Sequence, residues 1–292
     1  MRQWWISGLA ALALAVAAPT VARADPPIWR VTDADTEMVL FGSIHALPEG
    51  VDWHNDALDK ALAEADLVAF EILTPDSDEE EMATYLPMLR YMVGEETLDV
   101  AVTPATYARA RVRAEEQGIE PMMLDILRPW AAAMILDIGA DTAKGRSNDL
   151  GVDGVIEGGL RPDQRTVALD TPALLNATMQ VMAETGDAEG EQLLVEVLDA
   201  LDEEKALDME IENAWVQGDL QPLLAEMESM KAEAPRLYEV ILVDRNHGWM
   251  PALKQMMETE RRVVVVVGAA HMVGEDGLPT LLRQAGYKVE GP

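Results

Sequence analysis

The alternation of apolar and polar positions divides the chain into three parts. Ile28–Thr32 and Met38–Ser43 are short strand-like runs separated by the polar turn Asp33-Ala34-Asp35, which predicts a hairpin. An amphipathic helix follows, with Ala57, Leu58, Ala61, Leu62 and Ala65 at helical spacing. Asp66–Leu73 is then almost wholly apolar, as buried parallel strands are. Strand, helix and strand over this length predict a βαβ unit with its two strands parallel.

The middle, 75–240, is predicted to be mostly helical. Its stripes are Met122, Met123, Ile126, Leu127 and Trp130; then Leu174, Leu175, Thr178, Met179 and Met182; then Leu193, Leu194, Val197, Leu198 and Leu201. A short strand, Thr166–Leu169, interrupts them. Gly139–Gly159, rich in glycine and charge, reads as a loop or hinge, and Thr185–Gly190 as a second break. The α/β pattern then returns. Trp249, Met250, Leu253, Met256 and Met257 mark a helix, Arg262–Val267 a five-valine strand, Leu278–Ala285 a short helix and Tyr287–Glu290 an edge strand. The fold class expected is α/β (α+β): a mixed central sheet built from both ends of the chain, with a large helical insertion over 75–240.

The first 24 residues read differently. Arg2, the apolar run Ile6–Val21 and the small-x-small triplet Ala22-Arg23-Ala24 form an export signal cut after Ala24. The expectation is one domain over 25–292, periplasmic or secreted, with no membrane anchor after cleavage. There is no cysteine, which excludes disulfides, thiol catalysis, thiolate metal sites and lipid attachment through an N-terminal cysteine. A net charge of −31 argues against nucleic acid, since phosphate binding needs a basic face. The 17 methionines and two phenylalanines point to a core filled by flexible thioethers rather than to a methionine-lined groove.

Chemistry concentrates in one repeated phrase. Val39-Leu40-Phe41 runs into Gly42-Ser43-Ile44-His45, and Val263–Val267 runs into Gly268-Ala269-Ala270-His271. A strand ending in Gly-x-x-His puts an imidazole past the carboxyl edge of a sheet, where open α/β sheets hold ligands. One such motif alone reads more readily as a structural histidine; two copies from opposite ends of the chain point to a shared site. Glu71 is the one charge in Leu67–Leu73. It reads as an exposed strand end, an arginine partner or a metal ligand. Two imidazoles and a carboxylate are a common set for a divalent transition metal, and such a metal makes bound water nucleophilic near neutral pH. Arg245, in Asp244-Arg245-Asn246, either pairs with Asp244 or Glu239 or holds a substrate carboxylate or oxyanion. His54 is expected to be exposed at a helix start, and His247 to lie no closer than behind the ligands. Ser43 has no feature supporting it as a nucleophile. Phosphate-loop, dinucleotide, nucleophile-elbow and His-Glu-x-x-His motifs are absent, and the acids of Asp149–Asp153 lack calcium-loop order.

These residues together resemble the TraB/PrgY/GumN family, which includes the animal TIKI proteins and is marked by two Gly-x-x-His motifs with a glutamate and an arginine between them. Glu71 in Ala69-Phe70-Glu71 and Arg245 match the latter two. Arg128-Pro129-Trp130, Leu150-Gly151-Val152-Asp153 and the closing stretch Val267–Tyr287 resemble the GumN-like branch. That branch usually carries Leu-Glu-Thr where this chain has Leu169-Asp170-Thr171. The resemblance implies a fold similar to erythromycin esterase and ChaN-like haem-binding proteins. It also implies a metal-dependent hydrolase, because the similar TIKI proteins are divalent-metal proteases.

The combined expectation is a peptidase-like hydrolase acting on a peptide or small molecule. His45, His271 and Glu71 would hold manganese, cobalt or zinc, and Glu71 and Arg245 would act in catalysis. Gly42, Ser43, Gly268, Asn246, His247 and Asp170 would stand behind them. The rivals are a haem- or metal-binding protein without turnover and an exported interaction protein.

Overall fold

A computed structural model describes residues 25–292 apart from 76, 185 and 203–206; the proposed export signal therefore lies outside the described residues. Its centre is a six-stranded mixed sheet. β1 (Ile28–Thr32) and β2 (Glu37–Ser43) form the expected hairpin, with Ile28 opposite Phe41 and Thr32 opposite Glu37. Asp33 Oδ1 closes the turn by accepting from the backbone N–H of Asp35 and Thr36. β3 (Leu67–Phe70), β4 (Arg165–Ala168), β5 (Arg262–Gly268) and β6 (Lys288–Glu290) complete the order β4-β3-β5-β2-β1-β6.

β2, β3, β4 and β5 run parallel, so four carboxyl ends meet along one edge. β2 and β3 are parallel as expected, but the five-valine β5 sits between them. This insertion brings the two Gly-x-x-His segments side by side, with Ser43 paired to Gly268. The sheet draws on both chain ends, and also takes its edge strand β4 from within the helical middle.

The valines of β5 explain its central place. Val263, Val265 and Val267 face a cluster containing Trp249, Leu253 and Met257. Val264 and Val266 face the opposite cluster, with Phe41, Phe70 and Trp215. A strand apolar on both faces is stable only when covered on both, as parallel strands are. A third cluster lies within the helices, where Trp130, Leu136, Leu194 and Leu198 pack the Pro129–Ala143 and Asp187–Asp202 helices together.

Several boundaries differ from the sequence expectation. The strand expected over Asp66–Leu73 is only Leu67–Phe70; Glu71 makes one more bond to Val266 O, and the chain then turns out, leaving Ile72 exposed. Gly139–Gly159 is not a single loop, because Gly139 lies inside the Pro129–Ala143 helix and Val152–Gly159 is a helix. The Met122–Trp130 stripe breaks at Pro129, which has no N–H to donate and holds Arg128 extended. Leu124, Leu127 and Trp130 are buried, whereas Met122, Met123 and Ile126 are exposed. The Pro172–Glu184 helix buries no residue fully: Leu174 packs under the sheet and Met179 and Met182 against the helical cluster. Met38, Met250, Met256, Met257 and Met272 do fill the core, but Met82, Met122 and Met123 face solvent. Among the described residues no helix is long and apolar enough to cross a membrane.

Val265 is fully buried, with Leu40 of β2 and Ala69 of β3 paired on either side of it. Val265→Ala is expected to destabilise the protein by about 2–3 kcal/mol, through lost burial plus the cavity left behind. The urea midpoint should fall without a change in slope.

Candidate active site

Four groups of interest follow the carboxyl ends of parallel strands. His45 lies two residues beyond β2, and Glu71 directly follows β3. Asp170 lies two residues beyond β4, its N–H bonded to the Glu71 carbonyl. His271 sits in the 3-10 turn Ala269–Met272 after β5. The Asp244–Thr259 helix, entered from a π-helical turn at Glu239–Val243, adds Arg245, Asn246 and Trp249 on its buried face.

Glu71 is the hub. Its Oε1 accepts from Arg245 Nη2, and its Oε2 accepts from the Gly268 N–H at 3.1 Å. Oε2 also lies 3.5 Å from His45 Nε2 and 3.8 Å from His271 Nε2. Both rings are fixed from behind. His45 Nδ1 meets Asp153 Oδ2 at 2.9 Å, and Ser43 Oγ donates to the other Asp153 oxygen at 2.9 Å. His271 Nδ1 meets Asn246 Oδ1 at 2.7 Å, and Asn246 Nδ2 donates to the Asp276 carbonyl. With each Nδ1 so engaged, each Nε2 faces inward. Neither glycine is incidental. A Cβ on Gly268 would stand 2.8 Å from His45 Nε2, and one on Gly42 2.9 Å from Ala269 Cα. Gly151 likewise lets the Val152–Gly159 helix start against the His45 carbonyl, which a Cβ would meet at 1.9 Å.

The electrostatics follow from this packing. Burial opposes ionisation of Glu71, but the His45 hydrogen bond and the Arg245 charge outweigh it and hold the carboxyl well below the usual range. Arg245 also remains charged against burial, through Glu71 and Asp170. Burial raises Asp170, and its Arg245 and Trp249 contacts offset only part of that. Burial lowers His271 to about 3, with the Arg245 charge adding to the effect. Burial also pulls His45 down, yet Asp153 and Glu71 outweigh it and raise the ring to about 10. Its side chain is 54% exposed, so the two carboxylates decide the direction.

The structure thus brings together His45, Glu71, His271, Arg245, Asp170, Asn246, Ser43, Gly42 and Gly268. His247 is exposed on the opposite side of its helix from Arg245 and Trp249, because residues 245, 246, 249 and 250 form the buried stripe. His54 is exposed and stacks on Trp53, one residue before the Asn55 helix cap. Asp153 and Trp249 are site residues that the sequence reading did not place there. Asp153 had a signal, its Gly-apolar-Asp segment; Trp249 looked like an ordinary core position. Among the described residues no group of three or more His, Asp or Glu side chains is assembled as a metal cluster. The guanidinium of Arg245, 3.4 Å from His271 Nε2 and bonded to Glu71, is the cation at the centre of this arrangement.

The two rings should titrate in opposite directions. His45 is raised, so its contribution to stability is complete below about pH 6.5 and is lost as the pH rises through about 10. His271 is lowered, so its contribution is present above about 6.5 and is lost as the pH falls toward about 3. NMR titration of the metal-free protein should find His45 protonated at pH 8 and His271 neutral at pH 5. Two rings titrating together near 6.5 would contradict the geometry.

Comparison with known proteins agrees with the motifs. The chain is 25% identical over 171 residues to the "Uncharacterized protein YbaP" of Escherichia coli (strain K12), and equally to that of Shigella flexneri. The match covers 58% of this chain and 62% of each relative. No solved structure matches. The family model described as the TraB/PrgY/gumN family matches residues 27–291, so the chain belongs to that family.

Proposed function

We propose that this chain is an exported hydrolase that holds a divalent metal between His45, Glu71 and His271 and cuts peptides lying in a groove beside His45. The observation that carries the reading is that two imidazoles, each oriented through its Nδ1 by an oxygen of Asp153 or Asn246, turn Nε2 toward the same oxygen of Glu71. Metal-ligating histidines are held from behind in this way. The spacing also fits. Ligands at about 2.1 Å from a tetrahedral ion stand about 3.4 Å apart, and the two nitrogens lie 3.5 and 3.8 Å from the carboxylate oxygen. When bound, such an ion supplies Lewis acidity to a substrate carbonyl and acidity to water.

The remaining roles belong to the chain itself. Burial keeps the His271 lone pair free of a proton. Arg245 Nη2 is committed to Glu71 and Asp170, but Nη1 has only long contacts, 3.5 Å to the Ile241 carbonyl and 3.4 Å to His271. Nη1 is therefore the donor available to a carbonyl oxygen as negative charge grows on it. Clefts of about 500 and 770 Å3 flank His45 and share Asn148 and Asp149. A site open on both sides suits an extended chain better than a compact metabolite. The haem alternative is less well supported. His271 is 3% exposed, and its Nε2 is faced by Arg245 rather than by open space.

Purified protein loaded with Mn2+, Co2+ or Zn2+ should cleave a peptide library, lose activity with EDTA and regain it on metal addition. His45→Ala and His271→Ala should abolish metal uptake and cleavage while circular dichroism stays unchanged. Undiminished cleavage by either variant, or by the chelated protein, would contradict the proposal. Asp153→Asn, which weakens the support of the His45 ring and the contact with Ser43, should reduce metal affinity about 10–100-fold, measured by calorimetry.

A further inference from the structure

Asp170 is the most enclosed charged group in the site, its side chain wholly hidden from solvent. It touches neither imidazole in the described contacts. Oδ2 accepts from Arg245 Nη2 at 2.6 Å, while Oδ1 accepts from Arg245 Nε at 3.4 Å and from Trp249 Nε1 at 2.7 Å. One carboxylate therefore grips the guanidinium by two nitrogens and the indole by its single donor. Trp249 in turn packs its ring 4.5 Å from that of His271 and lies 4.9 Å under the Arg245 guanidinium. The β4 register sets this arrangement, since Leu169 N–H bonds Phe70 O and Asp170 N–H bonds Glu71 O.

Glu71 has a conflict that Asp170 resolves. The carboxylate that faces both imidazoles is also the partner of Arg245. A dication and a guanidinium then compete for one anion. Arg245 holds Glu71 through one nitrogen but holds Asp170 through two, and forked contacts are the more firmly oriented. A buried guanidinium with no anion left would be costly.

Resting on the metal reading above, we propose that Asp170 is the positioning residue that keeps Arg245 and Trp249 in place when Glu71 turns to the metal. The aspartate absorbs the arginine charge, so Glu71 is free to act as a ligand without expelling the guanidinium from the site. Without that second anion, Arg245 would stay on Glu71 and oppose the incoming cation.

The test is Co2+ titration of the whole mature chain, read by visible absorption and by calorimetry. Asp170→Asn should bind Co2+ at least tenfold more weakly than wild type. Adding Arg245→Met to Asp170→Asn removes the competing cation, and should recover at least threefold of that loss. A purely structural role for Asp170 would not be rescued in this way. Wild-type affinity in Asp170→Asn, or a double variant no tighter than the single one, would overturn the inference alone. If Asp170→Asn does not fold, the double variant decides: affinity within about fourfold of wild type supports the role, and any greater loss overturns it. Wild-type protein that takes up no Co2+ would overturn the metal reading, and this inference with it.

Discussion

A buried, ionised carboxylate at the end of a central strand is the constraint around which this molecule is arranged. Glu71 has 8% of its surface exposed and is held in its charged form. An isolated carboxylate in such a place is strongly disfavoured. It is tolerated because the Arg245 guanidinium, the Gly268 N–H and the two imidazoles come to it from three other parts of the chain. The sheet order supplies that convergence. With β5 between β3 and β2, residues 71, 268 and 45 become neighbours at one edge. The burial of five valines on both faces of β5 is thus also what builds the site.

The outer ring of residues gives the two imidazoles different characters. His271 is sealed under Trp249 and tied to Asn246, so it is neutral and fixed. His45 stands at the mouth of two clefts, backed by Asp153 and Ser43, and is drawn toward its charged form. One ring belongs to the floor of the site and the other to its entrance. The same division appears in the arginine, whose Nη2 is structural while Nη1 has only long contacts.

Much of this was legible in the sequence because the signals are local. A glycine three residues before a histidine, at the end of an apolar run, marks a close approach of the two motifs: a Cβ on Gly268 would stand 2.8 Å from the His45 ring nitrogen, and one on Gly42 2.9 Å from Ala269 Cα. A lone glutamate in an apolar strand signals a charge that needs partners, and Arg245 is one of them. The β1–β2 hairpin, the edge position of β6 and the helix carrying Trp249 follow from periodicity in the same way, whereas the place of β5 between β2 and β3 does not. What the sequence hid is long-range. Asp153 meets Ser43 across 110 positions, and Trp249 meets Asp170 across 79. Pattern alone makes Trp249 a core residue, which it is, while its N–H serves the site. His247 shows the converse: it adjoins Arg245 in sequence, but the 100° step between residues turns it to solvent. The helical middle was least legible, because Pro129 divides one apolar stripe and Gly139 sits inside a helix.

The chemistry of this site depends on whether the inward-facing nitrogens and the Glu71 carboxylate share one ion. The direct measurement is anomalous scattering from a crystal of the protein soaked in Mn2+. The predicted result is one strong peak within bonding distance of His45 Nε2, His271 Nε2 and a Glu71 oxygen, with Arg245 still on Asp170. A fully soaked crystal with no peak there, or with the metal held elsewhere and Arg245 unmoved on Glu71, would contradict it.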